Sequence, residues 1–154
     1  MTNVSVKPLQ QSDLEAWRPL WDGYLTFYET GLSEDMTALT WSRLHDPAVP
    51  LHGWIALLDG KPIGFTHAQE HLSTWSAGPY VYLEDLFVDG SARGSGAGRA
   101  LIQAVYEHAG KVGAAKVYWQ TARTNTTARR LYDSLAKDRG FMVYQRKENS
   151  SGLK

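Results

Sequence analysis

Cysteine is absent from all 154 residues. That excludes disulfides, thiolate zinc ligands and a cysteinyl acyl-enzyme. A surplus of one charge is absent too: 16 Lys and Arg balance 16 Asp and Glu, so nothing in the charge favours nucleic acid or another polyanion. Long apolar runs are also missing. The best, Trp54-Ile55-Ala56-Leu57-Leu58, falls far short of the ~20 residues that span a bilayer. The first residues, Met1 to Pro8, carry no signal-peptide core. These absences predict a cytoplasmic protein with no membrane partner. What is present is a soluble globular composition, 43% hydrophobic and 21% charged, at a length suited to one core. One domain over 1–147 with a flexible tail at 148–154 is expected.

Apolar spacing lays out the elements. Val4 and Val6 open a short strand. Ser12 with Glu15 has capping-box spacing, and Leu14, Trp17, Trp21, Tyr24 and Tyr28 then share one helix face that Gly31 ends. Pro19 is expected to kink or divide that helix. Ser33 caps a second helix. Trp54–Leu58, Ile63–Glu70 and Val81–Val88 read as strands, the first two joined by the hairpin signal Asp59-Gly60. A helix follows Gly98, ending at Gly110 and Gly113, then a strand from Val117 to Thr121. Asn125 caps a last helix that Gly140 ends, and Phe141–Tyr144 reads as a final strand. The class is mixed α/β.

Arg93-Gly94-Ser95-Gly96-Ala97-Gly98 lies between a strand and a helix. Glycines let backbone approach a ligand, and the first helical turn presents unpaired N–H groups at a positive dipole end. The pair makes an anion site of the phosphate type. A plain tight turn would use the same glycines. A Walker loop is excluded because no Gly-Lys-Ser/Thr occurs, and the glycines at 94, 96 and 98 do not fit the dinucleotide spacing. No Ser carries Gly two residues away on both sides, so the hydrolase elbow is missing as well.

Arg93 to Gly98, read as Arg-x-x-Gly-x-Gly, resembles the acetyl-CoA pyrophosphate motif of the GCN5-related N-acetyltransferases (GNAT). Tyr82 to Val88 resembles that family's splayed central strand, and Asn125-x-x-Ala128-x-x-Leu131-Tyr132 its second CoA-binding segment. The matches run over roughly residues 80 to 145 in the family's order. Spermidine/spermine acetyltransferases and yeast histone/polyamine acetyltransferase-like members look nearest. Between Tyr132 and Gly140 the chain has four residues more than the family pattern, about one helical turn.

The resemblance implies a GNAT acyl-CoA N-acyltransferase fold, with a mostly antiparallel sheet of six to seven strands and four helices. It implies acetyl-CoA as co-substrate, no metal, an amine acceptor and a homodimer. Leu86, Phe87, Val88, the loop Arg93, Gly94, Ser95, Gly96, Ala97, Gly98 with Arg99, and Asn125 and Ala128 are the expected CoA contacts. Glu84 resembles the carboxylate that takes the amine proton through water, and Tyr132 the general acid. Asp85 lies on the opposite strand face unless a bulge intervenes; with Tyr28 and Glu29 it is assigned to a cationic substrate.

His67 and His71 have helical metal spacing but fall on a strand, where four residues span roughly 13 Å. Three functions stay open: acetylation of a small cationic amine such as a polyamine or amino-acid derivative, acetylation of a protein lysine or N-terminus, and a non-catalytic CoA sensor.

Overall fold

The aromatic spacing after Asp13 produces helix α1 (Leu14–Phe27) in the computed structural model, which describes residues 3–148. α1 buries Trp17, Leu20, Trp21, Tyr24 and Leu25 on one face. Pro19 sits inside it without dividing it; the N–H that proline lacks would have bonded the carbonyl of exposed Glu15. The cap lies earlier than the Ser12–Glu15 spacing suggests. Gln10 N–H donates to Asp13 Oδ2 at 2.8 Å, and the same oxygen pairs with Lys7 Nζ at 2.5 Å. A charged acceptor that also gains a cation outcompetes the serine hydroxyl. The helix ends before Gly31, with Glu29 in the left-handed region at φ 52°.

Helix α2 (Glu34–Leu44) starts as expected, with Ser33 Oγ accepting from Met36 N–H at 3.1 Å. Five strands follow the order β1 (Val4–Pro8), β2 (Leu51–Leu58), β3 (Lys61–His71), β4 (Tyr80–Val88) and β5 (Lys116–Tyr118) across one sheet. β1 to β4 are antiparallel neighbours, and β5 joins β4 in parallel. Asp59 and Gly60 both have positive φ, 50° and 83°, the signature of the tight turn that matches strand twist. Helix α3 (Ala97–Lys111) buries Ala97, Leu101, Ile102, Val105 and Ala109.

Side-chain alternation puts α1 and α3 on opposite faces. Ile55 and Phe65 pack with Trp17, Trp21 and Tyr24, whereas Trp54 faces His108 of α3, ring to ring at 5.4 Å.

The chain divides into two compact units, one up to Trp119 and one from Gln120. The second holds α4 (Thr126–Leu135). The mixed α/β class and the four helices stand among the described residues, where the sheet has five strands, not six or seven. No strand forms over 141–144, because a strand needs a bonded partner and that run has none among the described residues. α4 also stops at Leu135, so the four extra residues add no helical turn; Gly140 instead takes φ 80°, its N–H donating to Asp138 Oδ1 at 2.8 Å. The expected tail lies, except for Glu148, outside the described residues.

Candidate active site

A bulge sets the site. His67 pairs with Asp85 and Ala68 with Leu83, which leaves Glu84 as the extra residue on β4. Such an insertion re-aims side chains locally. β4 has a second edge, along which β5 pairs with Tyr80, Val81 and Tyr82, so that pairing stops before Leu83. Leu86, Phe87 and Val88 are part of that edge.

Asp85 turns into the core and is 7% exposed. Tyr24 Oη donates to its Oδ1 at 2.6 Å, and His67 Nδ1 bonds its Oδ2 at 2.9 Å. Trp17 Nε1, a donor only, bonds His67 Nε2 at 3.1 Å. That fixes the tautomer: Nε2 accepts, so Nδ1–H donates to Asp85. The chain Trp17–His67–Asp85–Tyr24 is therefore directed, and its carboxylate accepts at both oxygens. Gly53, which pairs with His67, leaves the ring its space; a Cβ there would sit 2.6 Å from Leu9 and 3.3 Å from His67. Thr66 Oγ1 adds a 2.7 Å bond to the Asp85 carbonyl. Asp85 was expected at the substrate amine, but its oxygens are engaged inside the protein.

Glu84 is half-buried, and its charge reaches two phenols. Burial, then the charge of Asp85 and its hydrogen bond, and also Tyr28 and Glu84, hold the Tyr24 proton well above the ordinary phenol range. Burial and Glu84 likewise push Tyr118 up. Tyr118 stacks near Tyr82 at 4.9 Å and bonds His71 Nε2 at 2.7 Å. His71 Nδ1 faces the Leu72 carbonyl at 2.8 Å, so it carries the hydrogen and Nε2 accepts from the phenol. Tyr28 lies 4.9 Å from Tyr24, ring to ring, and is exposed, as is Glu29. Thus Glu84, Tyr28 and the Asp85 network gather at the end of α1.

At the anion loop, Gly94 and Gly96 take φ 78° and 87°, a conformation that glycine adopts at no steric cost. Ser95 Oγ accepts from Ala97 N–H at 3.3 Å, and Ala97 is buried under the first turn of α3. A Cβ on Gly94 or Gly96 would meet no protein atom within 4 Å, so the open side of these glycines is available to a ligand. The N–H groups of that first turn have no intrahelical acceptor. Gly98 is half-buried, and Arg93 and Arg99 are exposed beside the loop.

In the second unit, Asn125, Ala128 and Tyr132 follow one another along α4 and are all half-buried. Asn125 does not cap the helix with its side chain; with ψ at 67° it turns back, and Nδ2 donates to Thr121 Oγ1 at 3.3 Å.

Spacing marks Trp17 only as a helix-face aromatic and His67 only as a poor metal candidate, and does not single out Tyr118. Their signal is a polar or amphipathic residue on an apolar face, which acquires a partner only once strand register is known.

Residues 14–141 match the family model described as Acetyltransferase (GNAT) family. The chain is 37% identical over 145 residues to the D-amino-acid N-acetyltransferase HPA3 of Saccharomyces cerevisiae, covering 93% of this chain and 90% of that protein. It is 33% identical over 146 residues to the uncharacterized N-acetyltransferase YhfO of Bacillus subtilis, covering 92% and 95%. Among solved structures, the aminoglycoside N-acetyltransferase AAC(6')-Iy in complex with CoA superposes with a TM-score of 0.81 at 23% identity, covering 97% of each chain.

Proposed function

The chain belongs to the acetyltransferase (GNAT) family, as an acetyl-CoA-dependent N-acetyltransferase, and we propose that its acceptor is the primary amine of a small cationic molecule of the amino-acid or polyamine type. The observation that carries this reading is the position of Glu84: the extra residue of a bulge, just beyond the point where β5 pairing ends. The 37% identity to a D-amino-acid N-acetyltransferase over most of both chains favours an amino acid within that class.

Acetyl-CoA fits the loop. Gly94 and Gly96 leave open exactly the side a Cβ would fill, and the α3 N-terminus suits a diphosphate. Arg93 to Arg99 would hold that group and Leu86 to Val88 would align the pantetheine arm with their backbone groups; the family resemblance assigns Asn125 and Ala128 to the same co-substrate. When bound, the co-substrate supplies an acetyl thioester.

The residues then divide the work. An alkylammonium near pKa ~10.4 resists losing its proton near neutral pH by about 4 kcal/mol. Glu84, through a water, accepts that proton at its carboxylate. Those backbone N–H groups of the Leu86, Phe87 and Val88 stretch that point away from β3 stabilise charge developing on the carbonyl oxygen. Tyr132 Oη gives its proton to the leaving sulfur. Asp85 acts at one remove, holding the Tyr24 phenol and the bulge while adding negative potential beneath the amine; Tyr28 and Glu29 border the acceptor. With no cysteine, transfer is direct in a ternary complex.

Among the described residues no helix is long and apolar enough to cross a membrane. A cytoplasmic homodimer belongs to the same proposal, its assembly state open to light scattering. The acceptor is tested by thiol release from acetyl-CoA against polyamines, L- and D-amino acids, aminoglycosides and lysine or N-terminal peptides. Turnover of small amines above all peptides is expected; turnover of peptides alone would overturn the small-molecule assignment.

A further inference from the structure

On the α3 face of the sheet, remote in chemistry from the acetyl site, three side chains converge. His52 on β2 and Glu70 on β3 are diagonal cross-strand neighbours, and His108 reaches them from the last turn of α3. His52 Nε2 lies 2.8 Å from Glu70 Oε2, and His108 Nε2 lies 2.8 Å from Glu70 Oε1. The two imidazole rings are 4.2 Å apart by centroid. One donor atom from each residue falls within 4.8 Å of the others. All three side chains are partly buried, at 36%, 16% and 17% exposure.

From this geometry we infer that His52, Glu70 and His108 form a binding site for a divalent transition-metal ion of the Zn2+ type. Two imidazoles and one carboxylate are a donor set that selects zinc and its neighbours over Mg2+ or Ca2+, which demand oxygen. Bonds of about 2.0–2.2 Å in a tetrahedron place donor atoms roughly 3.3 Å apart; Glu70 Oε1 lies 3.1 Å and 2.8 Å from the His52 and His108 Nε2 atoms, and the remaining donor spacing is within 4.8 Å. Trp54 backs the cluster, its ring 5.4 Å from His108, and supplies an apolar wall that limits water on that side. A groove of about 360 Å³ runs past His52, Trp54 and His108, with Glu107 and Lys111 also on its lining and Glu70 outside it, and gives the two imidazoles access to solvent ions.

Glu70 is the anion within the site, while Glu107 and Lys111 on the same groove carry opposite charges. Acetyl transfer requires none of these residues. Bound metal would clamp β2, β3 and α3 together and raise thermal stability by mass action.

The test uses the full chain after chelator treatment. Titration with ZnCl2 by calorimetry, and with CoCl2 by visible absorption, is expected to give one saturable equivalent and the intense bands of a tetrahedral cobalt site. His108→Ala and Glu70→Gln each weaken zinc binding by at least about tenfold, the cost even of losing a group outside the coordination shell. In the unaltered chain, Zn2+ shifts the imidazole NMR signals of His52 and His108 and spares those of His45, His67 and His71, so the result does not depend on whether the variants fold. No saturable equivalent, or zinc shifts at the other histidines with His52 and His108 unmoved, would overturn the site and leave a hydrogen-bonded ion pair.

Discussion

The Tyr24 hydroxyl donates a 2.6 Å hydrogen bond to Asp85, joining the end of α1 to the strand residue beside the bulge. Asp85 accepts on its other oxygen from His67, which is itself held by Trp17. Two donors converge on one carboxylate in the core, so this network fixes where β4 departs from regular pairing.

Asp85→Asn tests that role. The amide offers one carbonyl oxygen where the carboxylate offered two, and turns an N–H2 group toward the second donor. Leaving a buried partner unsatisfied costs about 1–3 kcal/mol. Urea unfolding is expected to show a loss in that range, with kcat reduced less than by removing Glu84. A stability change below about 0.5 kcal/mol, the usual surface value, would contradict the network.

Tyr24→Phe has a pH signature. Burial and the neighbouring Asp85 raise the folded-state phenol pKa, so this contribution is fully present below the unfolded value of about 10 and is lost as pH rises toward the folded one. Between the unfolded value of about 10 and the folded one, the unfolded chain releases a proton that the folded chain keeps, lowering stability by about 1.4 kcal/mol per pH unit. Melting curves from pH 8 to 11 should show the wild type ahead at pH 8 and its lead shrinking above pH 10. A constant lead would contradict the assignment.

Gly96→Ala probes the anion loop. The methyl group meets no protein atom within 4 Å but must adopt φ 87°, which costs more than the usual 0.4–1 kcal/mol range of glycine effects, or about 1–2 kcal/mol. The chain should fold, with KM for acetyl-CoA raised severalfold and kcat changed less. An unchanged KM would remove this glycine from the co-substrate site.

Tyr132→Phe removes the proposed acid without altering ring packing. A general acid contributes about 10²-fold or more, so kcat is expected to fall on that scale while KM for acetyl-CoA stays within about twofold, as for a group acting only in the transition state. Equal kcat in the two proteins would take Tyr132 out of the mechanism.

Much of the fold was readable because periodicity is local. The aromatic face of α1, the Asp59-Gly60 turn and the strand–glycine–helix order each reside in one contiguous stretch. The bulge at Glu84 was suggested only through resemblance, since a register shift is a property of two strands, not one. His67 looked like a strand-end histidine until pairing set it opposite Asp85. His52, Glu70 and His108 are separated by 18 and 38 positions and carry no common spacing. Phe141–Tyr144 shows the reverse failure: an apolar run of strand length reads as a strand even where no partner strand pairs with it among the described residues.

Glu84 carries the central claim, and the rate of thiol release with the best small amine tests it most directly. In Glu84→Gln, kcat at neutral pH is expected to drop by about 10²-fold or more, the contribution of a positioned base, with KM for acetyl-CoA little changed and part of the rate recovered at alkaline pH, where the amine deprotonates unaided. A variant as fast as the wild type at neutral pH would contradict the account.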